Sequence, residues 1–120
     1  MGTNYYARTE ACEHCGRSDS DVHICKSLTV FRGYTADQPC ALGVIESVAD
    51  WRRVLRETPK LRVFDEYGRE EEIAAFLDAI DATQLEQRRR QYDWMQAHYP
   101  GQTTDWLDAE GFSFCSQEFC

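Results

Sequence analysis

No stretch of this chain approaches the roughly 18 consecutive apolar residues that a membrane span requires. The opening Met1-Gly2-Thr3-Asn4-Tyr5-Tyr6 has neither the apolar core of a signal peptide nor the serine or threonine at position six that myristoylation needs. The expected location is therefore the cytoplasm, where thiols stay reduced. There the six cysteines are read as metal ligands or core thiols, with three disulfides as the rival reading. Basic residues are also scarce. Thirteen lysines and arginines face 21 acids, giving a net charge of -8, a field that repels nucleic-acid phosphates and anionic membranes. Such acidity suits docking on a basic surface, and it suits ordinary solubility equally well. Internal repeats and low-complexity tracts are absent. So is any strong catalytic signature: a zinc deaminase would need His-x-Glu and Pro-Cys-x-x-Cys, and although Pro39-Cys40 begins the second, position 43 is Gly43.

What is present fits one folded domain, since 42% of the 120 residues are hydrophobic. Its most informative run is Cys12-Glu13-His14-Cys15-Gly16-Arg17, with His23 and Cys25 behind it. Two thiols two residues apart, closed by a glycine, form a knuckle that can give two sulfurs to one zinc ion. Cys12, Cys15 and His23 are the first three ligands by spacing. The fourth is Cys40, in a loop free to fold back, or Cys25, expected on the same strand face as His23. His14, inside the knuckle, should project outward. A redox role for Cys-Glu-His-Cys would need a helix to begin after Cys15, and Gly16-Arg17-Ser18-Asp19 does not start one.

Along the chain, residues 4–9 look extended, and Val22 to Arg32 is the best strand pattern, rich in β-branched and aromatic types. Residues 33–43 read as a loop. Ser47 offers an N-cap to a first helix over 47–57, whose stripe is Val48, Trp51 and Leu55 and whose outward face is Arg52, Arg53 and Arg56. A short strand over 61–64 and the turn Asp65-Glu66-Tyr67-Gly68 precede a second helix over 70–80, marked by Ile73, Phe76, Leu77 and Ile80. Thr83 and Glu86 form a capping box for a third helix over 84–98. A turn over 106–111 then leads into a strand over 112–115.

Other clusters carry weaker signals. Asp65, Glu66, Glu70, Glu71 and Glu72 could bind a divalent cation, although a turn followed by dipole-favoured acids explains them more simply. Arg88-Arg89-Arg90 reads as a solvated face. Of Trp51, Trp94 and Trp106, at least two should be core and the remainder could anchor an interface. Cys115 and Cys120 have no assigned role.

Several segments together carry a likeness: Asn4-Tyr5-Tyr6, Cys12-x-x-Cys15-Gly16-Arg17, His23-Ile24-x-Lys26-Ser27, Asp50-Trp51, Asp65-Glu66-Tyr67-Gly68-Arg69 and Gly111-Phe112-Ser113-Phe114. In this combination the chain resembles a family of small uncharacterised proteins common in actinobacteria and bacteriophages. The resemblance implies a phage or mobile-element context and no transferable activity. It also implies Cys40 as the fourth ligand, because the family typically has glycine where this chain has Cys25; the family's later histidine has no counterpart here.

The expected architecture is α+β: a zinc-knuckle β-ribbon over about 4–43, a helical part of three helices over about 44–100, and a C-terminal strand within about 106–120 that joins the sheet. The metal is expected to be structural. The expected function is a non-enzymatic, zinc-stabilised interaction factor that binds a bacterial protein, with no membrane among its partners and nucleic acid disfavoured by the net charge. The alternatives are a metal-dependent hydrolase or nuclease using the acids of 65–72 or an open zinc position, and a nucleic-acid-binding zinc ribbon, for which only Arg8, Arg17, Lys26 and Arg32 lie near the knuckle.

Overall fold

The fold is that of a computed structural model, and it describes residues 3–8, 22–40, 42–100 and 105–116. Cys12, His14, Cys15 and Cys120 lie outside the described residues. The architecture is α+β. Strands β1 (Asn4–Arg8), β2 (Val22–Lys26), β3 (Val30–Arg32), β4 (Arg62–Asp65), β5 (Glu70–Glu71), β6 (Asp105–Leu107) and β7 (Ser113–Cys115) form one sheet in the order β5-β4-β1-β2-β3-β7-β6. Among the described residues only the β3–β7 pair is parallel, so the C-terminal strand does add to the sheet, beside the β2–β3 hairpin. Helices α1 (Val48–Glu57), α2 (Ile73–Asp81), α3 (Leu85–Arg88) and α4 (Arg90–His98) complete the fold.

The core follows from strand pairing. Residues directly opposite one another share a face, and the rows Val63–Ala7–Val22 and Tyr5–Cys25–Phe31–Phe114–Trp106 all enter the apolar cluster or pack against it. Onto that cluster α1 contributes Val48, Trp51, Val54 and Leu55, and α2 contributes Phe76, Leu77 and Ile80. Both stripes match the helical spacing in the sequence. Trp51 is fully buried and Trp106 packs on the cluster, as expected for two of the three tryptophans. The Trp106 ring lies so close to Gly33 that a Cβ there would sit 2.3 Å from it, which requires glycine at that position.

The N-terminus of α1 is held from two directions. Ser47 Oγ accepts from Asp50 N at 3.1 Å, as its sequence position predicts, and Asp108 Oδ2 accepts from Val48 N at 2.8 Å, from 60 residues away.

Several expected elements differ. Residues 22–32 form a hairpin rather than one strand, because Ser27 and Leu28 both take positive φ, 54° and 59°. Thr29 N closes this turn on Lys26 O at 3.0 Å. Two consecutive positive φ values make a tight turn whose twist matches its flanking strands. Backbone and side chain of Ser27 are both bonded to Thr3, which holds the turn without a glycine. Residues 70 and 71 pair with β4 instead of opening α2, which starts at Ile73. Thr83 does not cap the third helix; its hydroxyl donates to Ile80 O at 2.7 Å and accepts from Arg88 Nε at 2.9 Å, so it finishes α2. The third helix is broken into α3 and α4 at Arg89, where the hydroxyl of Ser113 inserts into the backbone ladder.

Candidate metal centre and its surroundings

His23 lies on β2 and is only 5% exposed. Its ring stacks on Tyr6 at 5.0 Å between centroids, with planes 25° apart. Nε2 of His23 lies 2.9 Å from Oδ1 of Asn4. An amide oxygen accepts, so this contact calls for the tautomer with its proton on Nε2. The backbone N–H of Asn4 donates to Glu66 Oε1 at 2.8 Å, and the Tyr34 hydroxyl donates to His23 O at 3.0 Å. Asn4, Tyr6 and Tyr34 thus frame the histidine. Sequence reading missed all three in that role, because only the cross-strand register brings Asn4 and Tyr6 to His23.

Cys25 does not share a face with His23, contrary to expectation. The register shifts between Tyr5 and Tyr6, so that Tyr5 pairs with Cys25 while Tyr6 pairs with His23. Consecutive residues of a strand point to opposite faces, and a bulge that places an extra residue in β2 therefore turns Cys25 away from His23. Cys25 is fully buried in the apolar cluster, beside Tyr5, whose ring meets Phe76 at 5.1 Å. Burial pushes the Cys25 thiol far above its ordinary range.

Cys40 lies in a loop closed by reciprocal backbone bonds with Gly43, at 3.2 and 2.9 Å, and its Sγ donates to Gly43 O at 3.4 Å. It packs at the edge of the apolar cluster, and partial burial raises its pKa. Of the four proposed ligands, His23 and Cys40 are described; Cys12 and Cys15 are not. Among the described residues, no group of three or more histidines, cysteines, aspartates and glutamates could hold a metal ion.

The acids of the β4–β5 hairpin make the turn. Oδ1 of Asp65 accepts from Tyr67 N and Arg69 N, both at 2.9 Å, and Gly68 supplies the positive φ of 83°. Glu70 pairs with Arg62, which holds its carboxyl below the usual range. With Glu66 on the Asn4 amide, three of the five acids are engaged in local architecture, as the turn reading expects, whereas Glu70 and Glu71 lie on β5 and the first turn of α2 holds no acid, so the helix-dipole part of that reading does not hold.

The arginine faces are also different from expectation. Arg52 is not part of an outward patch: it binds Asp81 at 2.6 Å and Glu110 at 2.6 and 2.9 Å, joining α1, the end of α2 and the β6–β7 turn. These bonds, that to Glu110 first, hold its pKa above the usual value. Arg88 is no solvated side chain either. It lies 4.3 Å over the Phe112 ring and donates to Thr83 Oγ1, Glu110 O and Asp81 O. Arg89 forms an exposed pair with Asp93.

On α4 no residue is buried. Trp94 is 47% exposed and Tyr99 51%, and Trp94 stacks on His98 at 4.3 Å. This is the third tryptophan left outside the core. No described helix is long and apolar enough to cross a membrane. Comparison with protein-family models, curated proteins and solved structures finds no match to this chain.

Proposed function

We propose that this chain is a small, zinc-stabilised, non-enzymatic interaction factor of phage or mobile-element type, acting in the cytoplasm by binding a bacterial protein and inhibiting host or defence machinery. Its zinc is structural and is held by Cys12, Cys15, His23 and Cys40. One finding bears on that ligand set: Cys25, the rival for the fourth position, lies on the strand face opposite His23. When bound, the ion would neutralise the thiolates and add its binding free energy to the stability of the fold.

The observation that carries the interaction reading is the aromatic surface of α4. Trp94 and Tyr99 stand half-exposed beside His98, where a helix with no buried residue presents them to solvent. Interface energy concentrates in such aromatic side chains. The hydrolase alternative draws no comparable support, because Asp65, Glu66 and Glu70 are bonded to backbone amides and to Arg62. The test is a pull-down from bacterial lysate with the zinc-loaded chain and with Trp94→Ala at matched thermal stability. The reading predicts a bacterial protein retained by the native chain and lost by the variant; equal retention, or turnover of a substrate at the metal, contradicts it.

A further inference from the structure

We infer that the exposed stripe of α4 receives an acidic segment of the partner protein, with a carboxylate on Arg90 and an apolar side chain on the Trp94 indole; the inference rests on the interaction reading above and names the partner's chemistry. Arg90, Trp94, Ala97 and His98 are all exposed and follow one another at i, i+4, i+7 and i+8, so they share one side of the helix. The indole is ordered before any partner arrives. It stacks on His98 at 4.3 Å with planes 18° apart, and the tilted ring of Tyr99 lies 5.8 Å away. An aromatic anchor fixed in this way loses little conformational freedom on binding. The charge beside it is positive. Residues 87–100 hold three arginines and a single acid, in a chain of net charge -8. Arg88 is bonded inward to Thr83, Glu110 and Asp81, and Arg89 is paired with Asp93, the one acid of the helix. Arg90 has no hydrogen-bond or ion-pair partner among the described residues, so its guanidinium is left to take a carboxylate from outside. A second copy of the chain does not supply one. Packed antiparallel across Trp94, α4 would set Arg90 opposite His98, and packed parallel it would set Arg90 opposite Arg90. Arg90 and Trp94 are one helical turn apart, about 6 Å, and the partner's carboxylate and apolar group should match that spacing.

The experiment selects displayed random peptides on the full chain, sequences the enriched set, and measures the affinity of its strongest synthetic member for the native chain and for variants of matched thermal stability. The expected set carries Asp or Glu and a large apolar residue about one helical turn apart. Trp94→Ala should weaken binding by roughly 30-fold or more. Arg90→Glu should weaken it by roughly 3- to 10-fold, with Arg90→Lys close to native. Enriched peptides that are basic or uncharged, yet lost by Trp94→Ala, overturn the acidic partner and leave the α4 interaction reading intact. Acidic peptides indifferent to Arg90→Glu overturn it equally. Peptides indifferent to Trp94→Ala, or no enrichment at all, overturn the inference and the α4 reading together. A dimer in sedimentation that Trp94→Ala abolishes, or a single-stranded oligonucleotide bound by the native chain and not by that variant, identifies another occupant and overturns the inference.

Discussion

The hydroxyl of Ser113 accepts the backbone N–H of Tyr92 at 3.0 Å and donates to the carbonyl of Arg88 at 2.8 Å. Arg88 and Tyr92 are four residues apart, so one side chain from β7 has replaced the rung that an unbroken helix would form. Ser113 is almost fully buried, and water is poorly placed to substitute. Ser113→Ala should therefore cost about 1–3 kcal/mol by leaving a buried donor and acceptor without their bridge. Urea unfolding checks this, and an unchanged midpoint would show that α3 and α4 simply close into one helix.

The thiol of Cys25 is predicted to be inert in the native chain. It sits inside the apolar cluster, and burial raises its pKa far above that of a free thiol, which leaves almost no thiolate to react. A thiol-specific reagent at about pH 8 should label Cys25 only as the whole domain unfolds. Cys25→Ser should cost about 1–3 kcal/mol, because the hydroxyl enters an apolar site. Mass spectrometry of labelled peptides reads the first outcome; prompt labelling at Cys25 would be inconsistent with its packing.

The Arg62–Glu70 pair makes a prediction about pH. Arg62 lowers the Glu70 pKa, so the folded state favours the ionised carboxyl more than the unfolded state does. Its contribution is present above the ordinary glutamate range and disappears as pH falls through the lowered folded value. Stability of the native chain should exceed that of Glu70→Gln at about pH 7, and the two should converge as pH falls below the lowered folded value. Because the pair is fully exposed, the difference should also shrink in high salt. A gap that persists in acid would rule out this assignment.

Local signals explain what could be read from the sequence. Ser47 followed by Val48, Trp51 and Leu55 announces α1, and Phe76, Leu77 and Ile80 announce the buried side of α2. These patterns depend on neighbours within a turn or two. The misread features depend on distant partners. Ser113 breaks a helix 21 residues earlier, and a bulge in β2 separates Cys25 from His23. Arg52 looks like a surface cation until Asp81 and Glu110 close on it across 29 and 58 residues. The hairpin at Ser27-Leu28 lacks the usual Asn-Gly signal because Thr3 and the core hold it in place. The contact of Asn4 with His23 likewise became visible only through strand pairing.

The most direct test of the account is the metal itself. Elemental analysis of the purified full chain, joined to the absorption spectrum after cobalt replaces zinc, reads occupancy and ligand type together. The account predicts a single zinc per chain, a tetrahedral cobalt spectrum with strong thiolate charge transfer, and loss of both in Cys12→Ser, with thermal stability falling on chelation. A chain that folds without zinc and keeps its full stability in excess chelator would contradict it.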